Sequence, residues 1–234
     1  MAKRYALYFT PGSGPLAELG ANWLGWDPVE GNLRPAAPIA GLPPSTVDHL
    51  TTTPRNYGFH GTLKAPFRLR KDQSATNLVE ALEKFAENRH PIHLPSMSVR
   101  TIGSFVALVP SEPSEDLNQF AARVVEEFDD FRARSTEAEL ARRRKAGLTK
   151  RQDEHLVEWG YPFLFDEFRF HMTLSNKLER DAAVDLSERL QEYFEPVLPT
   201  PFPIDAITLL VEGDDGFFRQ SRRFPLLGPY QTNS

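Results

Sequence analysis

Apolar positions along this chain recur with two periods, every second residue and every third or fourth, and these divide it into strands and helices. Tyr5 to Phe9 reads as a strand, stopped by Pro11-Gly12-Ser13-Gly14. Leu16, Leu19 and Trp23 stand at helical spacing. Trp26 to Pro44 has no period and is expected to be a loop wrapping the surface, after which Pro44-Ser45-Thr46 opens a short helix through His49. A strand follows, carrying Arg55 to Lys64 and extending to Leu69. Ser74 to Asn88 is an amphipathic helix with Leu78, Leu82 and Phe85 on its apolar stripe, a Ser cap and Pro91 beyond it. Ile92 to Val99 and Gly103 to Val109 read as paired strands, and Leu117 to Phe131 as a second amphipathic helix.

The second half repeats this order. Gln152 to Trp159 is expected to be helical, ended by Gly160-Tyr161-Pro162, with a strand from Glu167 to Ser175 after it. Asp181 to Phe194 is a helix stopped by prolines. Ile204 to Glu212, the turn Gly213-Asp214-Asp215-Gly216 and Phe217 to Leu226 make a hairpin. Pro91 lies 31 positions after His60, and Pro201 lies 30 after His171. The repeated order argues for two related halves.

Each half carries one copy of a short motif: His60-Gly61-Thr62-Leu63 and His171-Met172-Thr173-Leu174. Side chains alternate faces along a strand, so His60 and Thr62 share one face and His171 and Thr173 another. The residues between and around them, Phe59, Gly61 and Leu63, and Phe170, Met172 and Leu174, point the other way. Two such strands side by side would line a cleft with two imidazoles and two hydroxyls.

Composition narrows the chemistry. The 234 residues include no cysteine, which excludes disulfides, thiolate catalysis and zinc-thiolate sites. The formal net charge of −5 weighs against gripping long nucleic acid by overall charge. No apolar run is long enough for a membrane span, and Met1 to Tyr5 leads into a strand pattern without a signal-peptide stretch, so a cytoplasmic location is expected. The exception to the ordinary charge distribution is a basic helical linker at about 132–155, read chiefly as a solvated helix face and alternatively as an arm for an anionic partner.

The twin H-x-T-L resembles the 2H phosphoesterase superfamily, named for two H-x-(S/T)-apolar motifs. Tyr57 to Arg68, Arg169 to Leu174, Arg4 to Phe9 and Arg223-Phe224-Pro225-Leu226 together resemble, more narrowly, the DUF1045 family, whose members often carry phosphonate-metabolism names. Gly61 stands where that family more usually has Ala, a departure expected to leave the site undisturbed. The resemblance implies an α+β, bilobal 2H phosphoesterase-like fold over residues 1–234 as a single domain. Two pseudo-symmetric lobes, each with an antiparallel sheet and flanking helices, would leave the cleft between them. It also implies a site needing neither metal nor cofactor.

Two histidines with ordinary pKa values near 6.5 can hold opposite protonation states, and two hydroxyls can donate to phosphate oxygens. His60 and His171 are the expected acid–base pair, with Thr62 and Thr173 as phosphate donors, acting on a cyclic phosphodiester of ribose or a small nucleotide. By strand parity Lys64 and Arg169 would add positive charge to the same face, and Tyr57 is a lining candidate beside Tyr5 and Tyr8. His90 and His93 resemble a metal pair but lack an acidic partner nearby, His49 and His155 have no named role, and Asp214-Asp215 reads as a turn. Two alternatives stay open: RNA end processing by a 2′,3′-cyclic phosphodiesterase or 2′-5′ ligase, and a non-catalytic module binding a phosphorylated ligand.

Overall fold

The computed structural model describes residues 3–35 and 37–228. Met1 and Ala2, Ala36 of the 26–44 loop, and 229–234 of the expected domain lie outside the described residues. Seven antiparallel strands make one sheet: β1 (Arg4–Phe9), β4 (Gly61–Arg68), β6 (Met97–Ile102), β7 (Phe105–Pro110), β8 (Met172–Thr173), β10 (Ala206–Glu212) and β11 (Phe218–Pro225). Their order is β11-β10-β1-β4-β8-β7-β6. The two motif strands are the neighbours at the middle, so a sheet four strands wide on one side joins one three strands wide on the other. The joint is narrow: the ladder between β4 and β8 is the single pair Gly61↔Met172.

The halves of the sequence are exchanged between the lobes. The hairpin β6–β7, which follows the first motif, pairs with β8 of the second. The hairpin β10–β11, which follows the second motif, pairs with β1 beside β4 of the first. Each intervening helix crosses in the same sense: α3 (Ala75–Glu87) packs on β10 and β11, and α7 (Arg180–Phe194) on β6 and β7. Helix α3 forms where its stripe Leu78, Leu82, Phe85 and Ala86 is buried, and the Ser74 hydroxyl accepts from the Asn77 N–H at its start. Helices α1 (Pro15–Leu24), α2 (Pro44–Arg55) and α4 (Glu115–Glu127) complete the covering layer over one large apolar core.

The other face of the sheet is the open one. A small cluster of Ala6, Tyr8, Leu210 and Phe218, flanked by Tyr57, lies there beneath the motif residues. The basic segment forms helices α5 (Glu137–Arg144) and α6 (Lys150–Trp159), each begun by a Thr capping box and separated at Gly147. Several expected boundaries shift. The aperiodic stretch after Trp26 contains a two-residue-per-strand ladder, β2 (Trp26–Asp27) with β3 (Asn32–Leu33). Helix α2 runs to Arg55 rather than His49. The strand expected at 92–99 is two: β5 (Ile92–Leu94) leaves the main sheet to pair with β9 (Phe202–Ile204). The second motif strand is only two residues long: Phe165–Glu167 is a short 3₁₀ turn, and 168–171 and 174–175 lie outside any strand. No helix among the described residues is long and apolar enough to cross a membrane.

Candidate active site

Both motif histidines are anchored in the same way. The Nδ1 of His60 lies 2.9 Å from the carbonyl oxygen of Gly58, and that of His171 lies 2.7 Å from the carbonyl oxygen of Arg169. In each case the carbonyl belongs to the residue two positions earlier. A carbonyl only accepts, so each Nδ1 carries its hydrogen and donates. The neutral rings therefore keep their lone pair on Nε2. The Nε2 of His60 lies 3.2 Å from the Thr62 hydroxyl. Gly58 has φ of +75°, and a Cβ there would meet Pro28 at 2.9 Å. A side chain at this position would be strained and crowded, so glycine is what lets the carbonyl turn back to His60.

The antiparallel pairing Gly61↔Met172 fixes the rest. Extending that register by one residue each way sets His60 across from Thr173 and Thr62 across from His171. Side chains opposite one another stand about 4.5–5.5 Å apart at Cβ, and diagonal neighbours about 7–8 Å. The two histidines lie on one diagonal and the two threonines on the other. Behind them, Met172 and Leu174 are fully buried and Phe170 nearly so. The ring of Phe170 occupies the place a Cβ on Gly61 would take, 2.3 Å away. An Ala here would collide with that ring unless Phe170 moved, so the packing of this chain fits the glycine.

The electrostatics follow from burial. Burial pushes the His60 imidazole down to about 4; the Gly58 carbonyl opposes this and the nearby His171 reinforces it. Burial also lowers His171, opposed by the Arg169 carbonyl. Tyr8 lies flat on His60, with ring centroids 3.8 Å apart and 23° between planes. Phe105, on the strand beside β8, lies 5.6 Å from the His171 ring. A cavity of about 420 Å³ opens beside the pair, lined by Thr62, His171, Phe105, Tyr161, Phe168 and Arg169 among others.

The softer candidates separate. Arg169 is exposed at the cavity rim. Tyr57 is half-buried, stacked on Phe218 at 5.3 Å and 6.0 Å from the His60 ring. Lys64 is elsewhere. Tyr8 pairs with Thr62 but Leu7 with Lys64, a register shift that marks a bulge after Thr62. The bulge breaks the alternation and turns Lys64 to the helix-covered face, where its ammonium donates to the Val125 carbonyl at 2.9 Å and pairs with Asp129 at 3.0 Å. Burial pushes that ammonium down to about 8 against the pull of Asp129. Tyr5 pairs with Phe67 and packs on the main core rather than the cleft.

The remaining histidines lie away from the motif pair. His90 and His93 line an open groove with Asp116 and Arg123. His155 is buried on α6, with Asp166 3.4 Å from its Nε2. No group of three or more His, Cys, Asp or Glu among the described residues is placed to hold a metal ion.

A family model described as "Protein of unknown function (DUF1045)" matches residues 62–219. The chain belongs to the DUF1045 family. The DUF1045 chain is 38% identical over 231 residues to a Janthinobacterium sp. (strain Marseille) protein named ribose 1,5-bisphosphate phosphokinase PhnN, covering 96% of this chain and 51% of that protein. A protein of the same name from Laribacter hongkongensis (strain HLHK9) is 29% identical over 214 residues, covering 91% and 49%. The chain spans about half the length of the curated relatives it matches. Among solved structures, TT0787 of Thermus thermophilus superposes with a TM-score of 0.43 at 14% identity, over 97% of this chain and 100% of that one. E. coli LigT complexed with 3′-AMP gives 0.43 at 16%, over 97% and 99%.

Sequence reasoning missed Tyr161 and Phe105 and left Tyr8 as one lining candidate among several. Tyr161 sits inside a helix-stop signal, Gly160-Tyr161-Pro162, and Phe105 inside an ordinary hairpin. Only the pairing of β7 with β8 and the return of the chain after α6 bring them to the motif residues.

Proposed function

We propose that this DUF1045 protein is a metal-independent phosphoesterase of the 2H type that hydrolyses a cyclic phosphodiester on ribose or a small nucleotide. The observation that carries the reading is the matched anchoring of two histidines through Nδ1, which leaves both Nε2 atoms for proton transfer across one diagonal of a His/Thr square. His60, the more depressed of the two, is the base: its Nε2 takes a proton from the attacking water. The water oxygen bonds to phosphorus, the bond from phosphorus to one ring oxygen breaks, and His171 gives that oxygen a proton. The charge of the bound phosphodiester favours the protonated form of His171 that this step needs. Thr62 and Thr173 donate to the non-bridging oxygens, where charge builds. Arg169 and Tyr57 flank the scaffold of the substrate, in a cytoplasmic protein acting as one bilobal unit.

The kinase name of the relatives suggests a second reading, phosphoryl transfer from a nucleotide to a ribose phosphate. The P-loop pattern G-x-x-x-x-G-K-[S/T], one common grip for a triphosphate, does not occur in this sequence: Gly20 and Gly25 have the spacing, but Trp26 follows. The cyclic phosphodiester reading stands ahead on the geometry of the motif pair.

The test is turnover of a panel of 2′,3′-cyclic nucleotides and ribose cyclic phosphates in EDTA, beside ATP with ribose 1,5-bisphosphate. Ring opening that survives EDTA supports the proposal. Activity that requires an added metal, or transfer from ATP without any ring opening, contradicts it.

A further inference from the structure

Four of the eight basic residues of the linker are neutralised locally. Arg132 pairs with Asp129, Arg144 with Asp153, Lys150 with Glu154, and Arg151 with Asp166. Arg143 differs. It is half-buried, yet it has no carboxylate partner among the described residues. Its guanidinium carbon sits 5.2 Å from the centroid of the Tyr161 ring. Tyr161 itself lines the cavity that holds Thr62 and His171. On its other side Arg143 borders a hollow shared with Arg4, Arg68, Arg132, Arg142 and Glu139. The single carboxylate there is engaged, because Glu139 is bound by Arg68 and by the Thr136 backbone and hydroxyl. Arg4 is held by Glu212.

In a chain of net charge −5, Arg142 and Arg143 thus have no carboxylate partner among the described residues; both border the hollow, and Arg143 is separated from the cavity by the Tyr161 ring it lies over. Burial and the neighbouring Arg142 and Arg4 disfavour the charge on Arg143, while Tyr161 and Tyr57 favour it. A partly desolvated guanidinium with open donors, stacked on an aromatic ring, matches a phosphoryl oxygen set.

We infer that Arg143, assisted by Arg142 and braced by Tyr161, is a second anion subsite, so that the substrate is a small molecule carrying a phosphomonoester on the same scaffold as its cyclic phosphodiester. This rests on the phosphodiester reading above and adds the substrate class. The patch is local, which favours a compact doubly phosphorylated molecule over a long nucleic acid.

The experiment compares adenosine 2′,3′-cyclic phosphate, the same compound with a 5′-phosphate, and a tetranucleotide ending in a 2′,3′-cyclic phosphate, using wild type and Arg143→Gln. Thermal melting first checks that the variant folds. Wild type is expected to show a KM for the 5′-phosphorylated compound lower by about tenfold or more than for its unphosphorylated counterpart. Arg143→Gln should abolish that preference and leave kcat and KM for the unphosphorylated compound unchanged. A preference that is absent in wild type, or that persists in the variant, overturns the subsite. So does equal loss on both mononucleotides, or a tetranucleotide preferred over the 5′-phosphorylated compound. If no compound is turned over, the phosphodiester reading fails. Calorimetric titration with the same 5′-phosphorylated compound then decides the subsite alone: affinity lost in Arg143→Gln upholds it, and affinity unchanged overturns it.

Discussion

The ring of Tyr8 lies on the imidazole of His60, centroids 3.8 Å apart, with the tyrosine itself almost wholly buried. Tyr8 also pairs across the strands with Thr62. Its ring supports the imidazole of the first motif, and its backbone stands opposite the motif threonine. Tyr8→Phe keeps the stack and should retain turnover and fold. Tyr8→Ala removes a buried aromatic and should cost about 3–5 kcal/mol in urea unfolding. It also admits water beside His60, so the ring should titrate closer to 6.5 when followed by NMR. An unmoved titration in Tyr8→Ala would show that the stack does not set the imidazole's environment.

The depressed His60 makes folding pH-dependent in a defined window. The ring takes up a proton near 6.5 when unfolded but only at about 4 when folded. The unfolded chain therefore binds more protons between these values. The stability associated with His60 is complete above 6.5 and is lost as pH falls toward 4. Denaturant unfolding at several pH values should decline less steeply for His60→Asn than for wild type, by up to about 1.4 kcal/mol per pH unit in that window. Parallel slopes would contradict the buried neutral imidazole.

Gly61→Ala puts a methyl group where the Phe170 ring lies, with contacts as short as 2.3 Å. Phe170 is the residue before His171, so the strain falls on the second motif. The expected result is a loss of about 1–3 kcal/mol in stability together with reduced turnover. A variant as stable and active as wild type would show that Phe170 repacks without cost.

Lys64 separates a structural lysine from a substrate-binding one. Its ammonium is bound by the Val125 carbonyl and Asp129 on the helix side of the sheet. Lys64→Met should lower stability by about 2–4 kcal/mol, since Asp129 retains Arg132 but the Val125 carbonyl loses its donor. KM of the folded protein should not change. A raised KM with unchanged stability would return Lys64 to the substrate.

The sequence carried the order of elements and the motif pair because both are local signals. Alternation placed His60 with Thr62, and the helical stripe of Leu78, Leu82 and Phe85 located α3. What alternation could not carry was the bulge after Thr62, which reverses the face of Lys64, since a bulge depends on the partner strand. The exchange of hairpins between lobes was hidden for the same reason: pairing of β7 with β8 is a long-range choice. Tyr161 and Arg143 lie in segments read as a stop signal and a solvated helix, and only the fold brings Tyr161 to the cavity wall with Arg143 over its ring. Gly61 shows the converse case, a single residue whose reason lies in a ring more than a hundred positions away.

The central claim is that His60 and His171 act as one proton-transfer unit, and the most direct test is a double-variant cycle. kcat/KM for ring opening of the best cyclic phosphate would be measured in EDTA for wild type, His60→Ala, His171→Ala and the double variant. Each single change should lower the rate by about a hundredfold or more, and the double variant should be little worse than either single one. Near-wild-type turnover in either single variant, or losses that simply multiply in the double, would contradict the account.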